Sequence, residues 1–392
     1  MITDPIVAIF AYGAVLLVAA LISGLAERTA FSIPVLFLAA GMLLGEVGTG
    51  SIGVRQGDEA LERLVDLALF AVLFADGMRL DLQALRAAWR LPGRALAFGL
   101  PITLLLTAWL AHAIVGLAWP EALLVATVLS PTDPVFAAAI VGRDEIAQRL
   151  RRLLNIESGL NDGLALPLVL ALLGWIGVDE PRWKILLLEV AAGVVVGVVV
   201  SWACIRLRAW LGARTTTLYG PLFVVAIGTM VYALARATDA NEYLAAFSAG
   251  ITVATTCRDI VGPFRELGEQ LAELLKLAAV FVFGALVAPE VFVAFGWEGW
   301  LFAACALLVA RPASIALVLI GSGFSARQKA AAGWLGPKGF ASVIYAILVL
   351  HAGLPDGDRL VRLISLVIVV SIVAHSSTDV ATARWLARHQ PR

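Results

Sequence analysis

Within an apolar stretch the chain reads Thr127-Val128-Leu129-Ser130-Pro131-Thr132-Asp133-Pro134-Val135-Phe136. Pro131 and Pro134 each lack an amide hydrogen, and each disfavours helix in the residue before it. A helix running into this stretch therefore breaks. Deep in a bilayer, freed backbone carbonyls are tolerated only beside protein or a water-filled cavity. With the Thr132 hydroxyl and the Asp133 carboxylate at the break, the segment reads as an oxygen-rich site for a cation. Proline kinks occur in membrane helices without any ligand; the adjoining Thr-Asp argues for more than a kink.

Composition places this stretch in a membrane. Of 392 residues, 61% are hydrophobic and 15% charged, and the mean hydropathy is +0.92. Soluble domains are about half apolar and about one-quarter charged, and too few polar residues remain here to cover a soluble surface. Lys and Arg together number 29, as do Asp and Glu. That balance excludes a nucleic-acid partner, which needs a basic excess against phosphates. Disorder is excluded too, since it needs low hydrophobicity and high net charge. Cys204, Cys257 and Cys305 are far apart, with no histidine at ligand spacing, so neither a zinc site nor a disulfide framework is expected. No cofactor is expected. His112, His351 and His375 stand singly near the ends of apolar spans. Met1-Ile2-Thr3-Asp4-Pro5 carries no basic run, so the first helix is expected to be retained rather than cleaved as a signal peptide.

A bilayer core about 30 Å thick needs roughly 20 apolar residues per helix. Thirteen spans fit, at about 5–25, 32–48, 62–79, 94–117, 121–141, 157–177, 184–206, 216–236, 241–256, 271–288, 297–321, 328–350 and 360–380. They make one integral membrane domain over 1–392. With the N-terminus outside, 19 basic residues fall on the inner side and 7 on the outer, while Lys276, Arg311 and Lys338 remain within spans. The excess predicts an external N-terminus and a cytoplasmic C-terminus.

An ionisable group at the bilayer centre costs at least about 2.5–3.5 kcal/mol. Asp76, Asp133, Glu157, Asp162, Lys276, Arg311 and Lys338 therefore each require a reason. Asp76 and Lys276 lie near span edges, where reaching for the headgroups accounts for them as well as a functional role does. Asp133 and Asp162 are flanked by apolar residues on both sides, and that explanation fails. Span six opens Asn155-Ile156-Glu157-Ser158-Gly159-Leu160-Asn161-Asp162-Gly163. Ser158 and Asp162, four apart, share a helix face, and Glu157 and Asn161 share the neighbouring one, about 100° around. One face can offer oxygens to a cavity, the other a carboxylate to a partner helix. Arg311, in Leu308-Val309-Ala310-Arg311-Pro312, is the natural partner for Glu157 or another buried acid, because a buried unpaired guanidinium is very costly. Such a pair would be structural.

Span twelve contains a second break, Trp334-Leu335-Gly336-Pro337-Lys338-Gly339-Phe340, with a cation in it. Spans five and twelve are seven apart, and an odd separation reverses the direction of crossing. Two broken helices of opposite orientation point to an inverted repeat, with spans 1–6 repeated as 8–13 around span 7. Lys338 either compensates a facing helix terminus or reaches to an edge; the sequence leaves both open.

Assembled, these motifs resemble the monovalent cation:proton antiporters of the sodium/proton exchanger superfamily, in the NhaP-like branch. The resemblance covers nearly the whole chain. Ser130-Pro131-Thr132-Asp133-Pro134 and Glu157-Ser158-Gly159-Leu160-Asn161-Asp162 carry it most specifically. Leu73-Phe74-Ala75-Asp76-Gly77-Met78, Arg311-Pro312 and Gly336-Pro337-Lys338-Gly339 support it. It implies an all-α polytopic fold of about thirteen transmembrane helices with crossed broken helices 5 and 12. It further implies core helices over about 94–177 and 297–380, dimerisation helices over about 5–79 and 216–288, and a linker helix over about 184–206. A homodimer in the cell membrane would follow.

By the same resemblance, Asp162 is the ion-binding aspartate and Asn161 its neighbour. Thr132, Asp133 and Ser158 are oxygen ligands, and Glu157 with Arg311 is a structural ion pair. The Asn-Asp pair implies electroneutral exchange of one cation, Na+ first, for one proton. Ala75-Asp76 departs from the Glu that relatives often carry there, which leaves Asp76, like Lys338, a secondary candidate. In this scheme Asp162, with Asp133 beside it, binds a proton or a cation but not both. Two close carboxylates away from water hold a proton more readily than one alone. Either ligand neutralises the site so that it can cross the hydrophobic barrier, and no catalysis is needed. The alternatives are exchange of K+ or Li+ for protons, or potassium efflux. Efflux proteins usually add a cytoplasmic nucleotide-binding domain, for which no chain remains. An intramembrane aspartyl protease also uses two aspartates, but in a Gly-x-Gly-Asp setting that Gly159-Leu160-Asn161-Asp162 lacks.

Overall fold

The computed structural model describes residues 5–26, 32–45, 48–51, 59–79, 90–132, 148–177, 183–212 and 219–387. Among them every regular element is helical. The chain begins with α1 (Pro5–Ala26), α2 (Ile33–Leu44) and α3 (Glu59–Arg79). A short α4 (Arg90–Arg94) widens into a π turn over Ala95–Gly99 and continues as α5 (Leu100–Val115). Then come α6 (Trp119–Val128), α7 (Gln148–Ile176), α8 (Trp183–Trp210), α9 (Tyr219–Ala237), α10 (Glu242–Thr256) and α11 (Arg258–Leu286). α12 (Gly296–Cys305) passes through a second π turn, Ala306–Ala310, into α13 (Arg311–Val318). The chain closes with α14 (Ala326–Trp334), α15 (Phe340–His351) and α16 (Gly357–Ala387).

Helix stands at each of the thirteen expected spans. Among the described residues, seven helices are long and apolar enough to cross a bilayer, from Ile6–Leu25 to Gly357–Leu386. α6 and α15 are shorter, at 10 and 12 residues. At 1.5 Å per residue they rise about 15 and about 18 Å, roughly half of a membrane core. Both proline-bearing segments thus yield half-helices. α11 is apolar only toward its end; its first half, opening Arg258-Asp259, is strongly charged.

The two π turns share a cause. Each lies just before a proline at the second position of the next helix, Pro101 in α5 and Pro312 in α13. Proline has no amide to donate, and its ring crowds the carbonyl four residues back. A widened turn relieves that crowding within a continuous helix. These helices occupy spans four and eleven, again seven apart. Ser314 Oγ donates to the Gly99 carbonyl at 2.7 Å, joining the end of the first widened turn to α13.

The chain divides into two compact units. One comprises Met1–Asp58, Arg90–Gly177 and Leu277–Arg392; the other comprises Glu59–Trp89 and Val178–Lys276. α1 and α2 thus group with α5–α7 and α12–α16, whereas α8 groups with α3, α9 and α10. Within the first unit α2 meets the end of α11 through glycine: a Cβ on Gly41 would lie 2.1 Å from the Phe281 carbonyl oxygen. Within the second, a Cβ on Gly77 would lie 2.4 Å from Phe247 O, and one on Gly250 2.2 Å from Phe74 O. One on Gly197 would lie 2.3 Å from Ala245 O. Backbones that close need residues without side chains, the usual route to tight helix packing in lipid. Large apolar side chains such as Ile6, Phe10, Leu21, Leu188 and Trp210 point outward instead, as lipid solvent permits.

Candidate cation site

α6 ends at Val128, and its last carbonyls need partners because the chain does not continue as helix. Ser130 Oγ supplies one, donating to Thr127 O at 2.8 Å. The chain then reaches Thr132, buried at 1% exposure. Thr132 Oγ1 accepts from Asn161 Nδ2 at 2.8 Å and lies 3.1 Å from Ser158 Oγ. Three candidate residues from two elements are therefore hydrogen-bonded together. Asp133 lies outside the described residues.

α7 distributes its polar residues around its axis. Ser158 and Asn161 both turn to Thr132, while Glu157 turns to α13. This differs from the expected pairing of Asn161 with Glu157. Residues three apart on a helix are also neighbours, and the Thr132 contact selects that pairing. Asp162, at 4% exposure, is buried one residue further on. Its carbonyl accepts from Tyr345 Oη at 2.6 Å, so α15 is tied to α7 at the residue of interest. The Asn161 amide oxygen is buried with no hydrogen-bond partner among the described residues.

Arg311 and Glu157 form the expected ion pair, bidentate at 2.8 and 3.3 Å. The geometry suits a planar guanidinium against a carboxylate. Arg311 also lies on Gly336 in the second break: a Cβ there would stand 1.8 Å from Arg311 Nε. Only glycine fits that seat. Lys338 is 2% exposed, so it does not reach to a membrane edge. Its backbone amide donates to Ser371 Oγ at 2.8 Å. Among the described residues of this unit, the buried charged side chains are Glu157, Asp162, Arg311 and Lys338.

Asp76 belongs to the second unit. There it accepts from Arg79 Nη1 at 3.0 Å and lies 3.8 Å from Lys276 Nζ. Asp76 and Lys276 are each 4% exposed, so both are buried and paired rather than reaching for headgroups. Sequence reasoning did not find Tyr345, Ser371 or His375. His375 lies well inside α16, which runs on to Ala387, and it is buried rather than near an end.

No group of three or more His, Cys, Asp or Glu side chains gathers among the described residues. Among the described residues, the candidates Thr132, Ser158, Asn161 and Asp162 offer hydroxyls, an amide oxygen and a carboxylate. Such a set is too weak for a tightly held transition metal but suits an ion that must bind and leave. The sodium/hydrogen exchanger transmembrane family model matches residues 14–385.

This chain belongs to the sodium/hydrogen exchanger family. It is a polytopic membrane antiporter exchanging monovalent cations for protons. It is 27% identical over 389 residues to the K(+)/H(+) antiporter NhaP of Alkalimonas amylolytica, covering 98% of this chain and 67% of that protein. It is 28% identical over 392 residues to the K(+)/H(+) antiporter NhaP2 of Shewanella sp. strain MR-4, covering 97% of this chain and 67% of that one. The chain thus spans about two-thirds of the length of these relatives. Among solved structures, the sodium proton antiporter MjNhaP1 of Methanocaldococcus jannaschii superposes with a TM-score of 0.80 at 19% identity, over 97% of this chain and 99% of that one. That likeness concerns the fold.

Proposed function

We propose that Asp162 is the group for which the proton and the cation compete, with Thr132, Ser158, Asn161 and Asp133 completing an oxygen shell for Na+. The observation that carries this reading is the Thr132–Ser158–Asn161 hydrogen-bonded cluster at a helix break, one residue from buried Asp162. The unsatisfied Asn161 oxygen supports it, since a buried acceptor without a partner is costly unless a ligand or water supplies one. Glu157 and Arg311 hold α7 against α13 and carry no ion.

Burial then couples the two gradients. An empty ionised Asp162 faces a desolvation penalty whenever the site leaves one aqueous face for the other. A proton or a monovalent cation cancels that charge, and the two exclude each other because they use the same oxygens. Each crossing thus carries one ligand, and the net result is one cation for one proton without charge movement. The moving core comprises about 94–177 and 297–380. The helices of about 5–79 and 216–288 anchor it as a homodimer, with 184–206 as linker. The protein sits in the inner membrane with its N-terminus outside and its C-terminus in the cytoplasm. Lys338, buried in the second break, tunes the surroundings, and Asp76, paired with Arg79 and Lys276, is left out of the site.

A second reading is exchange of K+ in place of Na+. It is favoured by the K(+)/H(+) names of the two relatives, and the same oxygens serve either ion. Exchange by purified protein in liposomes tests both. Asp162→Asn is expected to abolish pH-driven uptake of Na+ and of K+; uptake persisting in that variant would remove Asp162 from the role. Repeating the wild-type measurement under an imposed voltage tests the stoichiometry, since one-for-one exchange leaves the final gradient unchanged.

A further inference from the structure

The second break has a fastening that the cation site does not account for. The regular helix ends at Trp334, so the amides beyond its C-cap residue Leu335 leave its ladder and need other partners. The Leu335 amide finds Ala331 O, and the Gly336 amide finds Trp334 O, each at 2.8 Å. Pro337 has none to place. The Lys338 amide is served from another helix, by Ser371 Oγ on α16.

One turn along α16 from Ser371 stands His375, 4% exposed. Its Nδ1 lies 2.8 Å from Ser371 O and 3.2 Å from Ser371 Oγ. A carbonyl oxygen only accepts, so Nδ1 carries the hydrogen. That hydrogen is shared between the two Ser371 oxygens, leaving Ser371 Oγ an acceptor directed at Lys338. The imidazole stacks on the Trp334 indole, with centroids 4.4 Å apart and planes 25° apart. Trp334 is the last residue before the break, and its Nε1 donates to Thr378 Oγ1 at 2.9 Å. Thr378 Oγ1 in turn donates to Ala374 O at 2.7 Å. One stripe of α16, Ser371, His375 and Thr378, therefore grips both rims of the break.

We infer that His375 and Ser371 are positioning residues for cation binding: by fixing segment 335–339 they seat Gly336 under Arg311, and through the Arg311–Glu157 pair they set the α7 face that carries Ser158, Asn161 and Asp162. Every link in this route is a direct contact. Ser371 holds the Lys338 amide, Gly336 lies against the Arg311 guanidinium, and Arg311 grips Glu157, the neighbour of Ser158. The inference rests on the reading of Asp162 as the ion-binding group.

The test uses full-length protein, purified as a monodisperse fraction and reconstituted in liposomes, with Na+ and K+ as probes. Ser371→Ala and His375→Leu are each expected to raise the half-saturating cation concentration about tenfold, the size expected from one lost buried hydrogen bond. The double variant is expected to be no worse than the poorer single, because both act on one route. His375→Asn, which can still present an N–H to Ser371 O, is expected to recover most of the affinity. Ser377→Ala, on the exposed side of α16, is expected to leave it unchanged. A general folding defect would lower the yield of folded protein without moving KM. Wild-type KM in both Ser371→Ala and His375→Leu, or additive losses in the double variant, would overturn the inference. If His375→Leu does not fold, Ser371→Ala against His375→Asn decides: a raised KM in the first alone supports the route, and normal values in both sink it. Asp162→Asn run alongside separates the readings. Exchange by that variant removes the site itself, whereas its silence with wild-type KM in the α16 variants removes only the positioning role.

Discussion

Each compact unit buries an ion pair, and the two pairs are built differently. In the first unit Arg311 meets Glu157 through two bonds and rests on the backbone at Gly336. In the second, Lys276 stands 3.8 Å from Asp76, which also takes a shorter bond from Arg79 three residues along its own helix. The first pair joins elements distant in sequence, α7 and α13, and fixes both guanidinium direction and helix register. The second sets one carboxylate between two cations, so Asp76 keeps a partner if either contact loosens. Tight helix contact comes from glycine in both units, at Gly41 and Gly284 in the first and at Gly77, Gly197 and Gly250 in the second. Directional charge thus fixes register where helices distant in sequence meet, and the loss of side chains lets backbones close.

Three substitutions press on that contrast. Glu157→Ala leaves the Arg311 guanidinium buried without its carboxylate and is expected to destabilise the protein by about 3–5 kcal/mol, read as a large fall in the thermal midpoint in detergent. A near-wild-type midpoint would mean that water already reaches the pair. Gly250→Ala is the matching attack on the second unit. A methyl 2.2 Å from Phe74 O must push α3 and α10 apart, with an expected cost of about 1–3 kcal/mol, measured the same way. Smallest of all is Lys276→Met. Arg79 keeps its bond to Asp76, so a change of about 1 kcal/mol or less is expected. A loss as large as that of Glu157→Ala would show the two pairs to be equivalent after all.

What could be read from the sequence depended on how local the cause was. The half-helices were legible because two prolines three residues apart, and a Gly-Pro-Lys-Gly run, crowd several helix-breaking residues into one turn. The Arg311–Glu157 pair was legible because a guanidinium within a span must find a carboxylate, and few were available. Asp76 and Lys276 could not be matched, since both lie where an edge position accounts equally well for the charge. The partner of Asn161 was missed because three-residue and four-residue neighbours are equally open until tertiary packing brings up Thr132. Ser371, His375 and Tyr345 were invisible for a different reason. None of them belongs to a motif recognisable in the sequence, and each acquires its role through what packs against it: the Lys338 amide on Ser371, the Trp334 ring on His375 and the Asp162 carbonyl on Tyr345. The widened turns before Pro101 and Pro312 were hidden likewise, since a proline announces a disturbance but not whether the helix kinks, stops or swells.

The bond from Ser314 Oγ to the Gly99 carbonyl has a mechanical meaning. Sliding one helix past the other by a full turn, about 5.4 Å, would break this contact between two buried residues. The bond therefore fixes the register of spans four and eleven at this level.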